Sequence, residues 1–376
     1  MGKVKDLAYQ RIVVKFGTGL LTGATDCLNQ ELMSGLVTQV AELHKRGREL
    51  IVVSSGAITS GRYRLGLSKK IRGIPYRQVL AAVGQSRLMH VYDQLFSRYN
   101  ITVAQALLAK ADLANRAGYL NARNTLLALL ELRVLAIVNE NDVVAVDEIK
   151  EARFGDNDNL SAMVANLVDA DLLLILSDIA GLYTADPHRN TGVHLIPQVD
   201  RIDAEIERLA VGTSSNLATG GMVTKIEAAK LATASGVTLV IADGREPDVI
   251  LRVAAGEALG TRFLPTTSKL ESRQRWMLSG LCTKGKLVVD SGAATALKKQ
   301  QGSLLAAGIK QVEGDFQQGD IVNIYNPDKS RLGCGITNYS SVDIATIKGV
   351  HSREIATLLG YDYGSEIVHR NNLVVL

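Results

Sequence analysis

Short apolar runs recur along the first two thirds of the chain, at Ile12–Lys15, Leu50–Val53, Val103–Leu108, Val134–Val138, Leu172–Leu176 and Val237–Ile241. They are β-branched or leucine-rich and too little interrupted for a half-exposed strand, so each predicts a strand buried on both faces. Between them, helical periodicity marks Gln30–Lys45, Gln78–Tyr99, Tyr119–Glu131, Asn159–Val168 and Thr224–Ala234. The alternation predicts an α/β fold: a mostly parallel sheet covered by helices on both faces, with ligands gathered beyond the carboxyl ends of its strands.

After about residue 265 the rhythm changes. Short strand-like pieces at Lys286–Val289, Ile309–Val312 and Ile321–Tyr325 alternate with Gly and Asp turns and show little helical period. The expected organisation is therefore a first domain over 1–264, a linker over 265–282 beginning with Pro265, and a small β-rich domain over 283–376.

Composition adds little to this picture and removes several alternatives. With 376 residues, 47% apolar and 21% charged, the chain is ordinary globular material, and a net charge of +4 is too weak a bias to argue for nucleic acid or an anionic surface. Cys27, Cys282 and Cys334 are odd in number and far apart, which fits neither a disulfide framework nor a close-set zinc site. The densest apolar run is far shorter than the roughly 20 residues a membrane span needs. A soluble, cytoplasmic protein is expected. No Walker loop and no H-E-x-x-H occurs, and His90 and His351 sit in sequence that suits structural histidines.

Three segments carry candidate chemistry. In RIVVKFGTGLLTG, Lys15 ends a strand and is followed by Gly17, Gly19 and Gly23, so backbone amides can approach an oxyanion beside a cation. The spacing is not that of a dinucleotide loop. In LATGGMVTK, a helix beginning near Met222 or Val223 carries Lys225 in its first turn, where the helix dipole disfavours a cation; that placement makes sense if the lysine meets an anion held by the same amides. Between them lies GDNDN, Gly155 to Asn159. One cap needs one of these side chains; the surplus can hold an amino group, magnesium waters or the two lysines. SSGAI, at Ser54–Ile58, and NENDVV, at Asn139–Val144, add small groups and a carboxylate at the same sheet edge.

Taken in order, VVKFGTG, IVVSSGAI, AAVGQSRLM, LLAKADL, YLNARNTL, VNENDVVA, GDNDNLSA, LSDIAGLYTADP and TGGMVTK resemble the glutamate 5-kinase family. The tail from KGKLVVDSGAATALKKQ onward resembles a PUA domain. The resemblance implies an amino-acid-kinase fold with a C-terminal PUA-like module and an ATP- and Mg2+-dependent phosphorylation of the side-chain carboxylate of L-glutamate, the first step of proline biosynthesis. It implies catalytic roles for Lys15 and Lys225, with Asp156 and Asp158 holding the lysines or magnesium. Ser55, Gly56, Asp142 and Asn157 match glutamate-binding positions, with Asp142 accepting from the ammonium and Asn157 donating to carboxylate oxygens. Ser177, Asp178, Thr219, Gly220, Gly221, Met222, Val223, Thr224 and Lys225 match the nucleotide site, Lys15 sharing in it. Ala218 departs from the family's usual glycine before TGGM.

The resemblance further implies feedback inhibition by L-proline, with Gly66–Gln78 as a candidate sensing loop. A homo-oligomer, dimer or tetramer, and a functional link to glutamyl-phosphate reductase are implied as well. Another member of the amino-acid kinase family, an acetylglutamate or aspartate kinase, is the alternative. An RNA-binding role for the tail is not expected, because nine basic and seven acidic side chains between Lys284 and Gly360 do not make a basic face.

Overall fold

The structure, a computed structural model, describes residues 8–23, 27–67, 73–144, 157–186, 192–212, 221–268, 283–300 and 302–375. Contacts divide the chain into two compact units, one of Met1–Leu113 with Arg123–Lys269, the other of Ala114–Ala122 with Leu270–Leu376.

The first unit is built on eight strands: β1 Arg11–Phe16, β2 Glu49–Val53, β3 Val103–Leu108, β4 Leu135–Glu140, β5 Leu172–Ser177, β6 Gln198–Val199, β7 Thr238–Asp243 and β8 Thr261–Phe263. They lie in the order β3-β4-β2-β1-β5-β7-β8-β6. Every pairing is parallel except β7 with β8. All six predicted strands are present, but β3 is not buried on both faces as expected: it is the edge strand of the sheet and none of its six positions is fully buried. Neighbouring residues of β1, Val13 and Val14, are both fully buried and all six positions of β5 are buried, so both faces of the sheet are covered at its centre.

The helices of the described chain up to residue 268 are α1 Thr18–Thr22, α2 Gln30–Lys45, α3 Ala57–Arg64, α4 Ile74–Ser97, α5 Lys110–Ala114, α6 Arg116–Glu131, α7 Asn157–Leu167, α8 Ala204–Gly212, α9 Met222–Ala234 and α10 Val249–Ala254, the stretch Ala114–Ala122 of α5 and α6 being counted with the second unit. Asn29 caps α2 by accepting from the Leu32 amide at 3.0 Å. The apolar stripe of α2, with Leu36, Val40 and Leu43, joins Leu88, Tyr92 and Phe96 of α4 against Val14 and Phe16 of β1 in one core. The Gly66–Gln78 stretch is not all loop: from Ile74 it is the first turn of α4, while residues 68–72 lie outside the described ones.

One close contact shapes the functional edge. A Cβ on Gly61 of α3 would stand 1.9 Å from the Leu80 carbonyl oxygen, and one on Gly84 of α4 would stand 1.7 Å from that of Ala57. The helices thus touch backbone to backbone. Glycine inside a helix costs about 1 kcal/mol against alanine, so the paired glycines serve the close approach and not helix stability.

After β4 the chain returns past β2 to lay β5 on the opposite side of β1. β1 is therefore the point where the strand order reverses, and the crevice at the carboxyl ends around it is where such a sheet binds ligands.

The second unit contains a sheet in the order β11-β9-β12-β13-β15 and a two-stranded pair β10-β14. Its strands are β9 Gly285–Val289, β10 Leu304–Leu305, β11 Ile309–Gly314, β12 Ile321–Tyr325, β13 Arg331–Ile336, β14 Glu366–Val368 and β15 Leu373–Val375. It is less purely β than expected: α11 Ser291–Gln300, α12 Ser341–Ile347 and α13 Ile355–Leu359 pack with it. The helix α12 begins with a capping box in which Ser340 and Asp343 exchange side-chain-to-backbone hydrogen bonds. Among the described residues of the chain, no helix is long and apolar enough to cross a membrane.

Candidate active site

The register of the parallel strands brings the three candidate segments to one edge. Lys15 pairs with Val53 on one side and Ile175 on the other, near the carboxyl end of β1. Ser54 and Ser55 follow β2, Asn139 and Glu140 close β4, and Ser177 closes β5 opposite Asp243 at the end of β7. Gly56 turns the chain from β2 into α3 at φ 96°, a left-handed conformation that glycine adopts without the Cβ penalty of other residues.

At the centre stands Asp158, in the first turn of α7 and fully buried. Lys15 donates to its Oδ1 at 2.5 Å, Lys225 lies 3.2 Å from Oδ2, and Thr224 donates to the same oxygen at 2.9 Å. Both lysines are only 5% exposed. Burial alone would push the Asp158 carboxyl up. The two ammonium groups and the hydrogen bonds from Lys15 and Thr224 outweigh it and hold the group well below the ordinary carboxylate range. Two cations on one anion leave a net positive charge. Because Asp158 and Lys225 lie in the first turns of α7 and α9, the amide ends of both helices add to that field.

The donor set also decides how Asp158 relates to magnesium. Both its oxygens are engaged by lysines, and a divalent cation there would stand against two ammonium groups, so Asp158 fits a lysine counter-ion and not a metal ligand. No cluster of three or more His, Cys, Asp or Glu able to hold a metal occurs among the described residues. Asp156 lies outside them.

Beside this centre a cavity of about 130 Å³ is lined by Ser55, Gly56, Asp142 and Asn157, the four expected glutamate-binding residues. Asn157 is 4% exposed. Its Nδ2 lies 2.8 Å from the Ser54 carbonyl, 2.9 Å from Ser55 Oγ and 3.0 Å from Asn139 Oδ1. A backbone carbonyl can only accept, which fixes the amide's orientation. Asn157 Oδ1 has no partner among the described residues. The expected donation from Asn157 to a carboxylate thus gives way to an acceptor, because its nitrogen is already engaged. Asn139 Nδ2 in turn donates to Gln85 Oε1 at 2.7 Å, and Ser54 Oγ pairs with the buried Tyr92 hydroxyl at 2.8 Å.

The same cavity is lined by Arg62 from α3, Arg77 from α4 and Glu140 from β4, none of which was singled out in the sequence. Burial pushes the Arg77 guanidinium below its ordinary value, Asp142 pulls it back, and Arg62 pushes it down again. Arg77 is the fourth residue of α4, as Lys225 is of α9. A cation against the positive end of a helix is the signal that marked Lys225, and the same test applied to α4 finds Arg77.

The expected nucleotide residues fall in two places. Ser177 donates to Asp178 Oδ1 at 3.0 Å beyond β5. Gly221 caps α9 with Met222, Val223 and Thr224 in its first turn, while Thr219, Gly220 and Ala218 lie outside the described residues. Arg245, also unforeseen, grips the Asp243 carboxylate through Nε and NH2 and donates from NH2 to the Asp178 carbonyl at 2.7 Å, tying the ends of β5 and β7 together.

Two buried lysines on a shared carboxylate, at the switch point of a parallel sheet and without a Walker loop, define a phosphoryl-transfer enzyme of the α/β class. Residues 10–243 match the model of the amino acid kinase family, and residues 285–359 match that of the PUA domain. The chain is 60% identical over 368 residues to a glutamate 5-kinase of Dehalococcoides mccartyi, covering 98% of this chain and 99% of the relative. To a glutamate 5-kinase of Herpetosiphon aurantiacus it is 51% identical over 366 residues, covering 97% and 98%. A UMP kinase from Bacillus anthracis superposes with a TM-score of 0.45 at 16% identity, over 69% of this chain and 97% of that one. The chain belongs to the amino acid kinase family and carries a PUA domain at its C-terminal end.

Proposed function

We propose that the chain is a glutamate 5-kinase, transferring the γ-phosphoryl group of ATP to the side-chain carboxylate of L-glutamate to give ADP and L-glutamyl 5-phosphate, the first step of proline biosynthesis. The observation that carries the reading is the Lys15–Asp158–Lys225 cluster beside a small cavity rich in charge of both signs. Relatives named glutamate 5-kinase, matching over nearly the whole chain, support the choice of acceptor.

In this reaction an oxygen of the γ-carboxylate attacks phosphorus as the bond to the β-phosphate oxygen breaks. The acceptor is already ionised, so no proton moves and no general base is needed. What the protein supplies is position and charge: Lys15 and Lys225 flank the moving group and stabilise the charge spread over its equatorial oxygens. Asp158 keeps the two ammonium groups apart and aimed. Ser177, Asp178 and the start of α9 hold the nucleotide, and magnesium is carried in on its phosphates.

The product is a mixed anhydride prone to hydrolysis, which favours prompt hand-over to glutamyl-phosphate reductase. L-Proline, sharing the ammonium and carboxylate of an amino acid, is assigned to the same cavity as a feedback ligand. The reading places the enzyme in the cytoplasm as a homo-oligomer, dimer or tetramer. A coupled ADP-release assay with L-glutamate, set against aspartate, N-acetylglutamate, UMP and carbamate, tests the function. Glutamate is expected to be preferred, and preference for any competitor overturns the assignment.

A further inference from the structure

We propose that Arg62 and Arg77 form a paired cationic clamp for the α-carboxylate of the amino-acid substrate and so set the requirement for a free amino-acid head group. The inference rests on the functional reading above and adds to it the residues that tell one carboxylate of the substrate from the other.

The argument begins with backbone. Gly61 and Gly84 let α3 and α4 meet with no side chain between them. Arg62 follows Gly61 directly, and Arg77 lies in the first turn of α4, on the same cavity. Two half-buried cations are thereby brought to one wall by helices that cannot move apart without losing that contact. Asp142 on the same cavity already offsets part of the charge on Arg77, and a pair of guanidinium forks matches the planar geometry of a carboxylate.

Charge balance then orients the substrate. The cavity wall carries two arginines and two carboxylates, Glu140 and Asp142, and is neutral as a whole. That composition suits a zwitterion. The Lys15–Asp158–Lys225 cluster is instead positive by one charge and suits an anion. Glutamate presents one of each: a zwitterionic head and an anionic side chain. With its nitrogen engaged, Asn157 has only Oδ1 to offer, so it belongs with Glu140 and Asp142 on the ammonium side. The α-carboxylate is left to the arginines and the γ-carboxylate to the lysines. An N-acylated amino acid, lacking the ammonium, leaves that acceptor side unmatched.

The test compares L-glutamate with its α-amide, isoglutamine, which keeps the ammonium and the γ-carboxylate and loses only the charge the clamp would hold. The full-length chain and the variants Arg62→Gln, Arg77→Gln and Arg77→Lys are assayed for kcat and KM with both compounds, with folding checked by thermal melting. The unaltered chain is expected to prefer glutamate by about 100-fold in kcat/KM, on the scale of losing a charge-assisted pair in a site built for it. Each Gln variant should lower that preference at least about tenfold through KM for glutamate, with kcat little changed, and Arg77→Lys should restore part of it. Parallel losses toward both compounds, as a purely structural ion pair would give, overturn the clamp, as does unchanged preference in both Gln variants. Turnover of glutamate by the unaltered chain keeps the two conclusions separate, because its absence sinks the kinase assignment itself.

Discussion

Two charged clusters stand at the same edge of the same sheet and are built on opposite plans. Around Asp158 two lysines share one carboxylate, all three side chains are buried, and the charge does not balance. Around Asp142 two arginines and two carboxylates line one cavity, and the charge does balance. The first plan is costly in the resting protein, because an excess cation held out of water needs compensation, to which helix amides and an arriving anion contribute. It suits charge that arrives during a reaction. The second plan suits a ligand that brings both signs with it. Turnover should therefore be governed by the first cluster and substrate choice by the second.

The largest effects should come from breaking the buried cluster. Lys15→Ala or Lys225→Ala should each lower kcat by about 100-fold or more with the chain still folded, the scale of removing one transition-state donor. Near-normal turnover in either variant would undo the mechanism. Asp158→Asn leaves two buried ammonium groups facing each other and should cost about 3–5 kcal/mol of stability, as breaking a buried pair does. Its pH dependence follows from the depressed carboxyl. The stabilisation by Asp158 is fully present above the unfolded-state value of about 3.9 and is lost as pH falls through the lower folded value. The stability gap between the unaltered chain and Asp158→Asn, measured by denaturant titration, should stay level from about pH 8 to about pH 5 and narrow only below about pH 4. A gap that closes near pH 6 would mean that another group sets it.

Next in size is the helix contact that positions the open cluster. An alanine Cβ at Gly84 would overlap the Ala57 carbonyl, so Gly84→Ala should push α3 and α4 apart. A loss of about 1–3 kcal/mol and a rise in KM for the amino acid, with a smaller change in kcat, are expected. Gly35→Ala is the control: Gly35 lies on the exposed face of α2 with nothing within 4 Å of an added Cβ. It should be neutral or stabilising by about 0.5–1 kcal/mol. Equal behaviour of the two variants would show that the glycine contact is not needed.

The sequence is most informative where burial is complete. The strands β1, β2, β4, β5 and β7 read as apolar runs because strands inside a parallel sheet are covered on both faces, and α2 reads from its stripe. The helix α3 does not, because AITSGRYR packs through a bare glycine backbone and needs no apolar stripe. The strands β6 and β8 are too short to make a pattern. In the second unit, α12 carried its start signal in Ser340 and Asp343, but its seven residues are too few for a period. The site divides along the same line. Lys15, Asp158 and Lys225 were legible as unusual residues in unusual places. That they form one cluster depends on partners 143 and 67 positions apart in the chain, which only the sheet order decides. Arg77 broke the same helix-end rule as Lys225 and could have been found; Arg62, in the last turn of α3, broke none.

The smallest expected effect separates the clusters without altering a residue. Salt screens exposed charges strongly and buried ones weakly, with a screening length of about 10 Å near 0.1 M falling to about 3 Å at 1 M. The lysine cluster is nine-tenths or more buried, whereas the arginine cluster lines an open cavity. Raising an inert salt from about 0.05 M to about 0.5 M at saturating ATP should therefore raise KM for the amino acid by about two- to fivefold while kcat moves by less than about twofold. Arg77→Gln, with one of the screened charges removed, should show a shallower dependence of KM on salt than the unaltered chain. If kcat falls with salt as steeply as KM rises, the lysines feel the solvent as much as the arginines do, and the division of labour between the two clusters fails.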